Sequence, residues 1–301
     1  MKRKPTALFA LLLAAAPATA SAAVALLAAN GGGAADRAPE VAVVPLGNEG
    51  VLLVAGERRV VVDALFGDGL PGYATVPPAQ RADLEAARGE FAGVDLVLAT
   101  HVHRDHFDAV AVARHLAANP AARFVSTPEA VAAVRVLAAS DALAVRLHAV
   151  LPAEGERETL RFDGVTVTVF QLHHGRDLAR PVANLGFLVE LGGRRIVHLG
   201  DTEAIADELA ATGLASSGVD LALVPFWRLL DDDGRNAIDR ALRPTRVAAI
   251  HVPRPDADDD YFGASGGRRA LDARVGLPAS RVEIFDEAAP DLVLDTNLGG
   301  R

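Results

Sequence analysis

Three imidazoles and one carboxylate fall within six residues in the stretch Thr100-His101-Val102-His103-Arg104-Asp105-His106-Phe107-Asp108. Imidazole and carboxylate are what Zn²⁺ and other borderline divalent ions take as ligands, and a catalytic site keeps one position open for water. The stretch follows the apolar run Val94-Asp95-Leu96-Val97-Leu98-Ala99, which reads as a buried strand feeding a loop. On extended backbone His101 and His103 project to the same side, and Asp105 and His106 lie where the chain turns into the next helix. Four donors can then converge on one small volume at the end of a sheet, which sets the stretch apart from a solvated polar loop.

Further donors stand at other strand ends. His173-His174-Gly175 closes an alternating run over 165–172, Gly200-Asp201 follows a run over 195–199, and His251 follows one over 247–250. Taken singly, these read as a turn, a helix N-cap and a satisfied core histidine. Alternation puts His174 on the side of Leu172 and His173 on the side of Gln171, but the strand is ending there and periodicity leaves the pair open.

The order His-x-His-x-Asp-His after a strand resembles the signature of the metallo-β-lactamase fold superfamily, and the resemblance covers about residues 40–294. It implies an α/β fold, a four-layer αββα sandwich with metals at one edge. It also implies a third histidine, a bridging aspartate and a last histidine in that order, for which His173 or His174, Asp201 and His251 are the candidates. On that pattern His101, His103 and His174 hold one metal, Asp105, His106 and His251 the other, and Asp201 bridges them. His174 is preferred to His173 because related proteins commonly follow this ligand with a small residue, here Gly175. The two ions, zinc first, with iron or manganese as the alternatives, would share a hydroxide that attacks the substrate. Asp105 and Asp201 are the catalytic candidates, with Asp105 orienting that nucleophile. Asp63, at another strand end, is expected to hydrogen-bond around the site, His198 to stand beside it at most, and His115 and His148 to be structural.

Within the superfamily, Gly200-Asp201 resembles the branch of ascorbate-6-phosphate lactonase and the N-acyl phosphatidylethanolamine phospholipase D relatives more than the true β-lactamases. The resemblance therefore implies a metal-dependent hydrolase of a small-molecule ester, lactone or phosphodiester. The alternatives are hydrolysis of β-lactam amides and an exported metal-binding protein without turnover.

Composition narrows the field further. The 301 residues, half of them hydrophobic, suffice for one large domain with a sizeable core. The formal charge of −9 weighs against nucleic acid as a partner, and with no cysteine there is neither a disulfide framework nor a thiolate ligand. Lys2-Arg3-Lys4, an uncharged stretch over 6–29 and small residues at Ala18-Thr19-Ala20 and Ala20-Ser21-Ala22 follow the order of a secretory signal peptide. The expected layout is a signal peptide over 1–22, a flexible linker over 23–39 and a hydrolase domain over 40–301. Export to the periplasm or medium follows, with an uncleaved membrane anchor as the alternative. The oligomeric state is left open.

The elements that must position the donors are legible as patterns. Runs over 41–46, 50–55 and 59–63 read as an antiparallel meander. Residues 64–80 carry too many Gly and Pro for regular structure, with Phe66 and Tyr73 as pocket candidates. A helix is expected over 81–91, a second over 109–118 capped by Asp108, a strand over 124–126 and a helix opening at Pro128. The stretch 140–151 fits no single state. Strands over 159–163, 165–172, 183–191 and 195–199 form a second antiparallel set, followed by helices over 203–211 and 236–242 and strands over 221–225 and 247–251. Strands followed by helices in each half suit two sheets packed face to face and covered outside.

Overall fold

The computed structural model describes residues 40–137, 141–175, 182–204, 206–257, 267–275, 282–286 and 289–294. The expected signal peptide and linker lie outside these residues. Among the described residues no helix is long and apolar enough to cross a membrane.

The first half opens with the meander β1 (Val41–Pro45), β2 (Val51–Ala55) and β3 (Arg58–Val62), then continues with β4 (Leu96–Leu98), β5 (Arg123–Ser126) and β6 (Leu147–Ala149). The second half repeats the plan with β7 (Arg157–Phe162), β8 (Val165–Leu172), β9 (Asn184–Leu191), β10 (Arg194–His198), β11 (Leu221–Pro225), β12 (Arg246–Ile250) and β13 (Val282–Ile284). A last strand, β14 (Leu292–Leu294), returns to pair with β1, so each sheet has seven strands. In both sheets the hairpin-linked strands are antiparallel, and β3 to β6 and β10 to β13 run parallel. Parallel neighbours need crossovers, and helices supply them. These are α1 (Pro78–Glu85), α2 (Ala109–Ala118), α3 (Pro128–Leu137) and the short α4 (Asp141–Ala144) in the first half, with α5 (Ala206–Ala211), α6 (Asp232–Ala241) and α7 (Gly267–Val275) in the second.

The side-chain period of two explains the layering. Val41, Val43, Leu53, Val60, Val62 and Leu96 face the other sheet and meet Val167, Val169, Leu185, Phe187 and Ile196. Their neighbours Ala42, Val44, Leu52, Val54, Val61 and Val97 face outward under Leu84, Val112, Leu116 and Val131 of the first helices. Leu188, Val197, Ala222 and Val224 do the same on the far side, under Leu209, Ile238 and Leu271. Strands buried on both faces read as continuous apolar runs, as these do. The result is the αββα sandwich that the resemblance implies.

Most strand bounds shift by one or two residues, and three helices depart from the expected ones, each for a local reason. The helix expected over 81–91 starts at Pro78, where a proline at the first turn loses nothing, and ends before Ala87, whose φ is 49°. Gly89–Phe91 then forms a separate 3₁₀ turn. The helix expected over 236–242 starts earlier: Asp231 caps it by accepting from Gly234 N at 2.6 Å, and Asp232 and Asp233 lie in the first turn, where negative charge is favoured. The helix expected from Glu203 is delayed, because Glu203 N donates to His173 O at 2.8 Å and Thr202 bridges His174. These two contacts tie two site loops together.

Candidate metal centre

All the donors named from sequence lie on loops at one edge of the sandwich. The motif loop follows β4, Asp63 follows β3, His174 follows β8, Asp201 follows β10 and His251 follows β12. In α/β sheets the crevice beyond the carboxyl ends of parallel strands is where ligands gather. The backbone locks these loops together. Leu185 N donates to Thr100 O at 2.9 Å, His251 N donates to Asn48 O at 3.2 Å, and Asp201 N donates to Asn184 Oδ1 at 3.2 Å.

Besides the buried trio Glu49, Asp63 and His198, two groups of donor atoms result among the described residues, each with all its atoms within 4.8 Å of one another: His101, His103, His174 and Asp201, and Glu49, His106, Asp201 and His251. Asp201 belongs to both. Its Oδ2 lies 3.8 Å from His101 Nε2 and 3.7 Å from His174 Nε2, and its Oδ1 lies 3.4 Å from His106 Nε2 and 3.7 Å from His251 Nε2. Asp105 flanks the second group, with Oδ2 3.2 Å from His251 Nε2 and 3.6 Å from His106 Nε2, and it accepts from Asn48 Nδ2 at 3.1 Å. His174 is in the first group, whereas His173 is exposed. His115 is buried with its Nδ1 on Leu84 O, and His148 packs edge-on against Phe162, both away from these groups.

Outer contacts fix which nitrogen each ring presents. Thr100 N and Thr100 Oγ1 both donate to Asp63, at 2.7 and 2.6 Å. With its hydroxyl proton committed there, Thr100 Oγ1 accepts from His101 Nδ1 at 3.0 Å, so His101 Nε2 carries a lone pair. His106 Nδ1 lies 3.0 Å from Asp63 Oδ2 and donates to it, which turns its Nε2 toward Asp201. Asp63 therefore stands behind two rings at once. Asp63 and His251 adopt φ of 47° and 54°, a left-handed conformation that costs an L-residue on the order of 1–2 kcal/mol. Strain of this kind concentrates at functional sites. Gly200 has φ of 56°, and a Cβ there would lie 2.3 Å from Asn184 Oδ1, so the approach to Asp201 requires glycine. Tyr73 and Trp227 stand edge-on to the His251 ring at 4.6 and 5.1 Å, and Trp227 Nε1 donates to Thr202 O at 3.1 Å. Phe66, the other pocket candidate, instead lines a cavity of about 370 Å³ together with Arg81, Arg104 and Phe107.

The donor set suits metal ions on its own chemistry. His103 Nδ1 lies 3.0 Å from both His101 Nε2 and His174 Nε2, a convergence of three ring nitrogens that one proton cannot satisfy. His106 Nε2, Asp201 Oδ1 and both oxygens of Glu49 are buried with no hydrogen-bond partner. Buried polar atoms are almost always satisfied, so orphans gathered at one point mark the place of a cation.

Charge states agree with that reading. Burial, and then the neighbouring rings, hold His101 well below the usual imidazole range. Burial also lowers His103, and it lowers His174 to about 4. These three are neutral ligands at neutral pH. Burial alone would raise Asp201, but His251 and His106 outweigh it and hold the carboxyl well below its usual value. Burial would likewise raise Asp105, and the His251 hydrogen bond and His106 reverse that. His106 goes the other way: burial would lower it, and Asp201 and Glu49 raise it well above 6.5.

A stability prediction follows for the metal-free protein. His101, His103, His115, His148, His174 and His198 all sit below 6.5 in the fold, so the unfolded chain binds their protons first as pH falls. Their contribution is present above about pH 6.5 and is lost downward through their folded values, about 4 for His174. Glu49, raised by burial and by Asp201, opposes them, and so does His106 at the upper end of the range, where the unfolded imidazole is still taking up its proton; the six lowered histidines outnumber these two. Thermal midpoints of metal-free protein should therefore fall steadily from pH 7 to pH 4.5, and a rise over that range would contradict these charge states.

Sequence reasoning missed Asn48 and Glu49. They occupy the turn between β1 and β2, where a polar pair reads as solvated, and the approach of His251 and His198 from the second sheet, with Ala74, Asp105 and His106 from the first half, buries them.

Comparison with known proteins gives a concordant result. The family model described as beta-lactamase superfamily domain matches residues 58–252. A UPF0173 metal-dependent hydrolase of Thermus thermophilus is 30% identical over 218 residues, covering 70% of this chain and 83% of the relative. Among solved structures, the metallo hydrolase Igni18 from Ignicoccus hospitalis aligns with a TM-score of 0.54 at 16% identity, covering 85% of this chain and 99% of its own. The metallo-β-lactamase fold protein YhfI from Bacillus subtilis aligns with a TM-score of 0.54 at 14% identity, covering 85% and 99%.

Proposed function

The chain belongs to the metallo-β-lactamase superfamily, in its UPF0173 family of metal-dependent hydrolases, and from that premise we propose an exported two-ion hydrolase acting on a small-molecule ester, lactone or phosphodiester. The observation that carries the two-ion reading is the single carboxylate of Asp201, which turns one oxygen to each donor group. His101, His103 and His174 would hold one ion, and Asp105, His106 and His251 the other, with Asp201 between them. Zinc suits the imidazole-rich position, and iron or manganese are the alternatives. Ions in that arrangement supply a water activated near neutral pH and a Lewis acid for the scissile carbonyl or phosphoryl oxygen.

The chain's own groups do the rest. Thr100 holds the His101 ring with its lone pair inward, and Asp63 turns His106 Nε2 inward, where an ion would take the place of the proton that Asp201 and Glu49 favour there. Asp105 receives Asn48 Nδ2 on Oδ2 and stands beside His251, a place from which it can orient the attacking water and pass a proton to the leaving group. Tyr73 and Trp227 keep the His251 ring from rotating away. Gly200-Asp201 favours the lactonase-like and phospholipase-like branch over hydrolysis of β-lactams.

A panel of p-nitrophenyl esters, lactones, phosphodiesters and a chromogenic β-lactam, run on protein reconstituted with zinc, manganese or iron, tests this reading. Turnover of at least one of the first three classes, abolished by chelator and restored by metal, is the expected result. Turnover of the β-lactam alone would replace the substrate class, and metal uptake without any turnover would favour a metal-binding protein.

Export rests on Lys2-Arg3-Lys4 and the small residues up to Ala22. Protein recovered from the periplasm or medium should begin at Ser21 or Ala23, and a full-length chain confined to the cytoplasm would contradict it.

A further inference from the structure

Glu49 belongs to none of the ligand positions drawn from the sequence, yet its surroundings set it apart. It sits at the tip of the β1–β2 turn and is 0% exposed. Neither Oε1 nor Oε2 has a hydrogen-bond partner. Burying a carboxylate without donors is among the most costly arrangements in a protein. A carboxylate in a hairpin turn is ordinarily solvated, so something else must satisfy it.

The groups facing it are either committed elsewhere or themselves without a partner. His198 offers nothing, because its Nε2 donates to Glu49 O at 3.1 Å and its Nδ1 accepts from Gly200 N at 3.1 Å. Asp63 is a carboxylate already receiving Thr100 N, Thr100 Oγ1 and His106 Nδ1. His106 Nδ1, 3.6 Å from Glu49 Oε2, is committed to Asp63. What remain open are His106 Nε2 and Asp201 Oδ1, both orphaned, and the Glu49 carboxylate has its ligand atom within 4.8 Å of those of His106, Asp201 and His251.

We infer that Glu49 is an oxygen ligand of the second ion, closing its cage from the floor of the site and biasing that position toward oxygen-seeking ions such as Mn²⁺. The inference rests on the two-ion reading above. The two positions then differ in kind: three imidazoles with the shared Asp201 at the first, and Glu49, Asp105 and Asp201 with two imidazoles at the second. Imidazole suits zinc, whereas carboxylate suits manganese and magnesium. The buried carboxylates Glu49, Asp63, Asp105 and Asp201 gather around this second position, negative charge that a cation offsets.

Calorimetric titration of the full metal-free protein with Zn²⁺ alone and with Mn²⁺ alone, for the parent and for Glu49→Gln, tests this. The parent should take up two ions of each kind. In Glu49→Gln the first ion should bind as in the parent and the second should weaken by more than about tenfold, with the larger loss for Mn²⁺. Circular dichroism checks the fold. If Glu49→Gln does not fold, Glu49→Asp, which keeps the charge but withdraws the oxygens by one methylene, is titrated in its place with the same expectation. Unchanged affinity for the second ion and an unchanged ratio of Mn²⁺ to Zn²⁺ affinity would overturn the role of Glu49. A parent that binds a single ion would instead overturn the two-ion reading on which it rests.

Discussion

Asp201→Ala is expected to bring hydrolysis below detection and to strip at least one ion from the protein while the fold persists. One oxygen of this side chain faces His101 and His174 and the other faces His106 and His251, so its loss opens both groups together. Partners one shell further from a metal typically contribute about 10–100-fold to its affinity, and a ligand shared by both positions should contribute more than about 100-fold. The fold should survive, because Asp201 lies outside the three apolar clusters and its N–H keeps its acceptor, Asn184 Oδ1. Elemental analysis and circular dichroism on the purified variant read out both halves of the expectation. An active variant that retained two ions would remove Asp201 from the site.

The adjacent histidines provide the second large contrast. His174→Ala should cost the ion of the first group and nearly all turnover, because its Nε2 lies 3.0 Å from His103 Nδ1 and 3.7 Å from Asp201 Oδ2. His173→Ala should keep both ions and lose less than about tenfold, roughly 1.4 kcal/mol of transition-state stabilisation. Its ring is exposed, and what ties it into the site loops is backbone: its N–H donates to the Glu208 carboxylate, and its carbonyl accepts from Glu203 N at 2.8 Å. Alanine preserves both bonds. The reverse ranking in ion content and kcat would place the ligand one residue earlier.

Much of this arrangement was legible because the sandwich buries both faces of most strands. Residues 165–172 and 221–225 carry β8 and β11 with the expected bounds, and Asp108 caps α2 by accepting from Val110 N and Ala111 N. The motif donors and the later strand-end donors were legible for the same reason: polar residues that terminate apolar runs at one sheet edge stand out. Periodicity did not choose between His173 and His174, and the bridge between His174 and Thr202 that fixes the chain's exit from β8 is a contact across the fold. Glu49 was hidden for a related reason, since a turn residue has no period and its burial comes from groups distant in the chain, His106 on its own sheet and His198 on the other. Residues 140–151 resisted assignment because α4 and β6 are each under five residues long and Val145 between them is exposed. At three residues each, β13 and β14 are too short to leave a pattern, and the pairing of β14 with β1 joins the two ends of the domain.

The central claim, that hydrolysis requires two ions sharing Asp201, is tested most directly by adding Zn²⁺ or Mn²⁺ stepwise to metal-free protein and following turnover of the best substrate against ions bound per chain. Activity should stay low through the first equivalent and rise to its plateau at the second. Full activity at one equivalent, or activity that persists with no metal bound, would contradict it.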